Sequence, residues 1–184
     1  LHMRKRGKLA EMDMSENVAV QAGRHMEPAL AAWASERWGW ALRKVHRYLE
    51  CDDCPGLGAS LDYELSGSGA LLPVDMKWSL WGKEWEWAGD TLTDYPLHYG
   101  IQMQAQMACA GADSAWLVAF CGGDLRRCRI EAKPPLIEEL KRLTREFWAD
   151  VQAEREPPVD FTRDAEAITM NADIVLLIHN PVAQ

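Results

Sequence analysis

The stretch ASLDYELSGSGALLPVDMK, residues 59–77, decides how this chain is read. It has the pattern of two short strands joined by the turn Ser66-Gly67-Ser68-Gly69. Side chains alternate along a strand, so Ala59, Leu61, Tyr63 and Leu65 face one way and Ser60, Asp62 and Glu64 the other. In the second strand Leu72, Val74, Met76 and Trp78 share one face, and Pro73, Asp75 and Lys77 the opposite one. An acid and a lysine two positions apart therefore enter one space, and a hairpin brings Asp62 to them. Two carboxylates and a lysine are the minimum set for metal-assisted phosphodiester hydrolysis. The acids hold a hard divalent cation through oxygen, and the lysine orients a water and neutralises phosphate charge. A solvated strand face is the plainer account of an isolated D-x-K, so the rest of the chain has to separate the two.

Composition sets the class. At 184 residues the chain is long enough for one domain with its own core, and 48% hydrophobic against 26% charged residues is ordinary for a globular protein. A formal net charge of −8 argues against a simple basic nucleic-acid-binding module. It leaves room for a nuclease, whose acidic site adds negative charge while a local basic groove attracts phosphate. No secretory pattern and no long apolar run are present, so a cytoplasmic protein without a membrane span is expected. Five cysteines without framework spacing suit a reducing compartment. Cys51-x-x-Cys54 invites an iron–sulfur or zinc reading, but no second C-x-x-C completes it, and free thiols are the simpler account.

Upstream of the stretch, Arg4, Lys5, Arg6 and Lys8 make residues 1–12 a basic lead-in. Asp13 with Glu16 resembles a capping box, and the apolar spacing of Val18, Ala22, Met26, Leu30 and Trp33 predicts a helix over 13–38. Pro28 within it is expected to kink it near Arg24, next to Glu27. Residues 41–50 read as one basic edge strand, with His46 either a strand-face residue or a ligand. Downstream, Trp78, Trp81, Trp85 and Trp87 with Lys83 suit either packing or base stacking. Pro96 opens a helix that Gly111 stops, with Tyr99, Gln102 and Gln106 on one face. Gly122-Gly123 turns a hairpin of 115–121 and 125–131, and Pro134-Pro135 opens a last helix with the stripe Leu136, Leu140, Leu143, Phe147 and Val151. A short apolar strand at 174–178 lies in a tail of unknown role, residues 170–184.

Four stretches in this order resemble the YqaJ family of phage-type recombination exonucleases, relatives of lambda exonuclease among the PD-(D/E)XK nucleases. Gly23-Arg-His-Met-Glu27-Pro28 is similar to that family's G-x-x-x-E-P helix, and Gly58-Ala-Ser-Leu-Asp62 to its G-A-S-x-D strand. Val74-Asp75-Met76-Lys77 is similar to its E-x-K strand, and Pro96-x-x-Tyr99-x-x-Gln102-x-Gln104 to its P-x-x-Y-x-x-Q-x-Q helix. The resemblance covers residues 13–169 and implies an α/β fold, a restriction-endonuclease-like core with a central mixed β-sheet flanked by helices.

That resemblance also implies roles. Asp62, Asp75 and the carbonyl of Met76 would be magnesium ligands, with manganese able to substitute. Lys77 would position the attacking water, and Glu27 would hold a second metal or a bound water. Gln102 and Tyr99 would support the nucleophile or the phosphate, with Ser60, Arg24, Gln104 and Trp78 contacting substrate. The implied activity is 5′→3′ degradation of duplex DNA from a free end, by a ring-shaped trimer that hands the exposed strand to a single-strand annealing protein. Two departures stand out. Asp75 replaces the usual Glu, and relatives carry a segment before the position of Leu1, so a trimmed chain is expected. A nicking or structure-specific endonuclease and an inactive DNA-binding module are the alternatives.

Overall fold

The computed structural model describes residues 2–8, 10, 13–45, 47–67, 71–79 and 84–155. His46, Ser68, Gly69, Trp81, Lys83 and the strand expected at 174–178 lie outside the described residues.

PVDMKW, residues 73–78, forms the strand from which the rest is best followed, β5 (Pro73–Trp78). It lies inside one mixed sheet with β1 (Leu42–Lys44), β4 (Tyr63–Leu65), β6 (Glu86–Ala88), β7 (Thr91–Asp94), β8 (Ser114–Cys121) and β9 (Asp124–Glu131). Among the described residues the order across the sheet is β1-β4-β5-β8-β9-β7-β6. β4 runs antiparallel to β5, with Tyr63 opposite Val74, whereas β8 runs parallel to β5, with Leu117 opposite Asp75. The mixed sheet expected of the fold is therefore present.

Alternation along β5 splits its residues between two layers. Val74 and Met76 join Tyr63, Val118 and Leu125 under Leu30, Ala31 and Ala34 of α2 (Val18–Trp38). On the opposite face Leu117, Ala115 and Ala119 pack against Met103 and Met107 of α3 (Leu97–Ala110). Full burial of each such Leu, Val or Met side chain contributes about 1.5–3 kcal/mol. Asp75 sits between these apolar neighbours with no exposed surface.

Local chemistry fixes the element ends. The side chain of Asn17 accepts from the N–H groups of Ala19 (3.0 Å) and Val20 (3.2 Å), so Asn17 is the N-cap of α2. The expected cap, Asp13, instead accepts from the N–H of Ser15 in a local turn. α2 runs helical through Pro28 to the left-handed Gly39. Gly111, with φ 62°, ends α3 as expected, its N–H returning to the Met107 carbonyl.

Two strands expected to be continuous are broken. The 41–50 segment forms β1 and then β2 (Tyr48–Glu50), and the 59–65 segment forms β3 (Gly58–Ser60) and then β4. β2 and β3 pair only with each other, outside the main sheet. Register explains the break: Lys44 lies opposite Tyr63 but Tyr48 opposite Ser60, so four steps on one strand face three on the other. That is a one-residue bulge, which bends the ladder just where Asp62 lies.

In the last helix, α4 (Pro134–Gln152), Leu136, Leu140, Phe147 and Val151 of the expected stripe are half-buried, but Leu143 is not. Leu143 is 48% exposed, while Lys141 is 8% exposed. Lys141 ion-pairs with Asp53 (2.7 Å) and Glu138 (3.1 Å), and its carbonyl accepts from the Cys54 thiol (3.5 Å). The 51–58 loop thus fixes the helix through polar contacts, joined by the Trp148 indole on the Gly56 carbonyl at 3.2 Å.

Apart from residues 150–152 of α4, these elements belong to the compact unit Ala10–Ala149. A second unit has residues 2–8 and 150–155 among the described ones; it contains the short helix α1 (His2–Lys5) and an Arg6–Glu154 ion pair of 2.6 Å. Among the described residues no helix is long and apolar enough to cross a membrane.

Candidate active site

β5 delivers its polar residues to one end of the sheet. Asp75 and Lys77 point to the α3 side, and Lys77 Nζ lies 2.5 Å from Asp75 Oδ2, an ion pair without hydrogen-bond direction. The ammonium also lies 5.0 Å from the centroid of the Tyr99 ring. α3 supplies the donors that hold the acid: Gln102 Nε2 (3.1 Å) and Gln106 Nε2 (2.9 Å) both donate to Asp75 Oδ1. Gln106 also donates to the Ser60 carbonyl (3.2 Å), which ties β3 to the buried acid.

Asp62 enters from the bulge between β3 and β4. Its Oδ2 accepts from the Met76 N–H at 3.1 Å. Burial, and then the charge of neighbouring Asp75, push its carboxyl up to about 7, against the opposing pull of the Met76 N–H and Lys77. From α2, Glu27 reaches the same region, its Oε1 3.1 Å from Lys44 Nζ on β1. That carboxylate raises the Lys44 ammonium above its ordinary value.

These side chains meet. Glu27, Asp62, Met76 and Lys77 line one pocket of about 310 Å³, together with Arg24, Trp78 and Tyr99. Asp75 lies beneath it, and Gln102 reaches it through Asp75. A larger concavity of about 860 Å³ opens beside Pro96, Ile101 and Leu136, but it holds none of the D-x-K residues.

Of the expected substrate contacts, one is buried away from the pocket and one reaches the site through its backbone. Gln104 is 2% exposed. Its Nε2 donates to the Glu131 carbonyl (3.0 Å) and its Oε1 accepts from the Lys133 N–H (2.7 Å), so it fastens α3 to the start of α4. Successive helix positions are about 100° apart, which turns Gln104 away from the face that Gln102 and Gln106 share. Ser60 meets the site through its carbonyl, with its side chain turned to solvent. Gln106, expected on one face with Tyr99 and Gln102, is a site neighbour as a second donor to Asp75, and Lys44 is the one to which the sequence assigns no role. Gln106 was findable, since it falls one turn after Gln102; the partner of Lys44 depends on strand register.

The donors suit a hard cation. Two desolvated carboxylates lie together, one with a lifted pKa and the other with an oxygen lacking a directed hydrogen bond. Among the described residues no three His, Cys, Asp or Glu side chains are placed to hold a metal. A cation here would draw on two acids and on backbone or water oxygens, the usual environment of magnesium. The Cys51 thiol meets Asp53 (3.1 Å) and the Cys109 thiol meets the Leu57 carbonyl (3.8 Å); all five cysteines are free. Trp85, 5% exposed, packs on Tyr99 (5.5 Å between ring centroids) as part of the core.

A sequence profile of the YqaJ-like viral recombinase domain matches residues 1–113 of the chain. The chain belongs to that family. This YqaJ-like domain is similar in fold to an alkaline exonuclease, LHK-Exo, from Laribacter hongkongensis, with a TM-score of 0.59 and 20% identity over 95% of this chain and 82% of that one. LHK-Exo in complex with dAMP gives a TM-score of 0.58 at 20% identity over 92% and 82% of the two chains. A phage-related exonuclease from Haemophilus somnus 129PT gives 0.55 at 16% identity over 84% and 79%. No curated protein matches the chain. Membership of this family places the YqaJ-like domain among nuclease enzymes, and its likeness to the exonucleases is one of fold.

Proposed function

We propose that the chain is a magnesium-dependent exonuclease that degrades one strand of linear duplex DNA in the 5′→3′ direction. The observation that carries this is the convergence of Asp62, Lys77 and Glu27 on one pocket, over the buried Asp75. Family membership and the dAMP complex of a protein of similar fold support a nucleotide-releasing activity.

Asp62, Asp75 and the Met76 carbonyl would hold the metal. When bound, magnesium supplies Lewis acidity toward the scissile phosphate and acidifies water at neutral pH. Lys77, paired with Asp75 and braced on the Tyr99 ring, orients the water and offsets negative charge as the phosphorus gains a fifth oxygen. Gln102 and Gln106 saturate Asp75 Oδ1, which leaves Oδ2 directed to the lysine side. Arg24 and Trp78, on the pocket wall, are suited to phosphate and sugar contacts. Manganese should replace magnesium, since both accept all-oxygen sites. A cytoplasmic trimer working with a single-strand annealing protein is part of the same proposal, and sedimentation of the purified chain tests the assembly.

Linear duplex labelled separately at each 5′ and each 3′ end tests the activity, with magnesium or with EDTA. Early release of the 5′ label as mononucleotide is expected, with none in EDTA. Lys77→Met should lower the rate by about 10²–10⁴-fold, the range for a positioned proton-handling group, while circular dichroism stays unchanged. Cleavage of closed circular duplex at the linear rate would replace the exonuclease with an endonuclease.

A further inference from the structure

Glu27, Asp62 and Lys77 line the pocket, Asp75 and Lys44 pair with two of them, and the lysines are not shared evenly. Lys77 pairs with Asp75 at 2.5 Å, and Lys44 with Glu27 at 3.1 Å. Among the described residues Asp62 has no ion pair; its oxygen accepts from the Met76 N–H. The two lysines also differ in freedom. Lys77 is 16% exposed and pinned between Asp75 and Tyr99, whereas Lys44 is 41% exposed on the short edge strand β1. Glu27, at 21% exposed, is open enough to exchange its partner.

We propose that Lys44 is a positioning residue that occupies the carboxylate of Glu27, so that the site takes one divalent cation readily and a second only by displacing the Lys44 ammonium. This rests on the metal reading given above. The physical ground is competition for one carboxylate. An ammonium within 4 Å neutralises Glu27, and a second divalent cation must break that pair and tolerate the displaced positive charge beside it. Because the pair is partly exposed and Lys44 sits on an edge strand, displacement is not prohibitive. Duplex phosphate offers the freed ammonium a new partner, so cation entry at Glu27 and phosphate docking at Lys44 support each other.

Titration with Mn²⁺ alone, followed by the electron paramagnetic resonance signal of the free ion, reads binding without any turnover. The wild-type chain should bind one Mn²⁺ per chain tightly and a second weakly. Lys44→Met should tighten the second site by roughly three- to tenfold, the effect of removing one half-exposed charge. The double variant Glu27→Gln/Lys44→Met should lose that gain, and Lys44→Arg, which keeps the charge, should titrate like wild type. Identical second-site binding in wild type and Lys44→Met overturns the proposal, as does a gain that survives Glu27→Gln. Asp75→Asn separates this from failure of the underlying reading: if it leaves the first Mn²⁺ in place, the metal site itself is misassigned and the proposal falls with it.

Discussion

Asp62 shows how much a single side chain depends on its surroundings. In the unfolded chain its carboxyl titrates near 3.9. In the folded chain burial and the charge of Asp75 lift it to about 7. Between those values the folded state binds the proton more tightly than the unfolded state, so stability falls as pH rises through the window and levels off above it. Denaturant midpoints of the wild-type chain in EDTA should therefore drop from pH 5 to pH 8. Asp62→Asn, which keeps an oxygen to accept the Met76 N–H, should flatten that slope and melt later than wild type at pH 8. A wild-type slope in the Asp62→Asn variant would show that another group titrates there. The identities of Asp62, Asp75 and Lys77 were legible from D…D-x-K, but the lifted pKa of Asp62 was not, because it comes from burial. Gln104 shows the reverse: its place in the P-x-x-Y-x-x-Q-x-Q pattern implied a substrate contact, yet it clamps the β9–α4 junction while Gln102 and Gln106 face Asp75.

Among the elements, the β8–β9 hairpin was the most legible. Cys121 and Asp124 close a two-residue loop in which Gly122 (φ 56°) and Gly123 (φ 80°) both take positive φ, as such a turn requires. Gly122 carries a second constraint: a Cβ there would lie 2.5 Å from the Trp87 ring, whereas Gly123 has nothing within 4 Å. The Trp87 ring is in turn covered by Arg126, 4.1 Å from its centroid. Gly122→Ala should destabilise by more than about 1 kcal/mol and by more than Gly123→Ala, which meets only the backbone penalty. Equal midpoints for the two variants would deny the Trp87 contact a role. α3 was legible for similar reasons, through Pro96 and Gly111. The break in 59–65 was not, because a bulge leaves the apolar alternation on either side intact and appears only in the pairing of Lys44 and Tyr48 with their partners. The place of Lys141 on α4 escaped too, since it is buried by an ion pair with a distant loop and not by hydrophobicity.

For the whole molecule the formal net charge of −8 sets a condition on binding. On the proposed function a duplex would approach a surface that repels it on average, so its hold would come from local contacts such as Arg24 at the pocket. Duplex affinity measured with Ca²⁺ in place of Mg²⁺ should therefore fall with salt, by roughly 40-fold between 50 and 200 mM for about three phosphate contacts. Affinity unchanged over that range would point to recognition that does not use the phosphates.

The parallel pairing of β5 with β8 has a bearing on when the D-x-K residues come together. Val74 finds its partner at Trp116, after an intervening hairpin and helix, and Asp75 loses contact with water only when Leu117 and α3 close over it. A chain still on the ribosome, with Lys77 already made, has its acids and lysine in solution and unassembled. On the proposed function, cutting competence thus waits on synthesis of a strand about forty residues downstream.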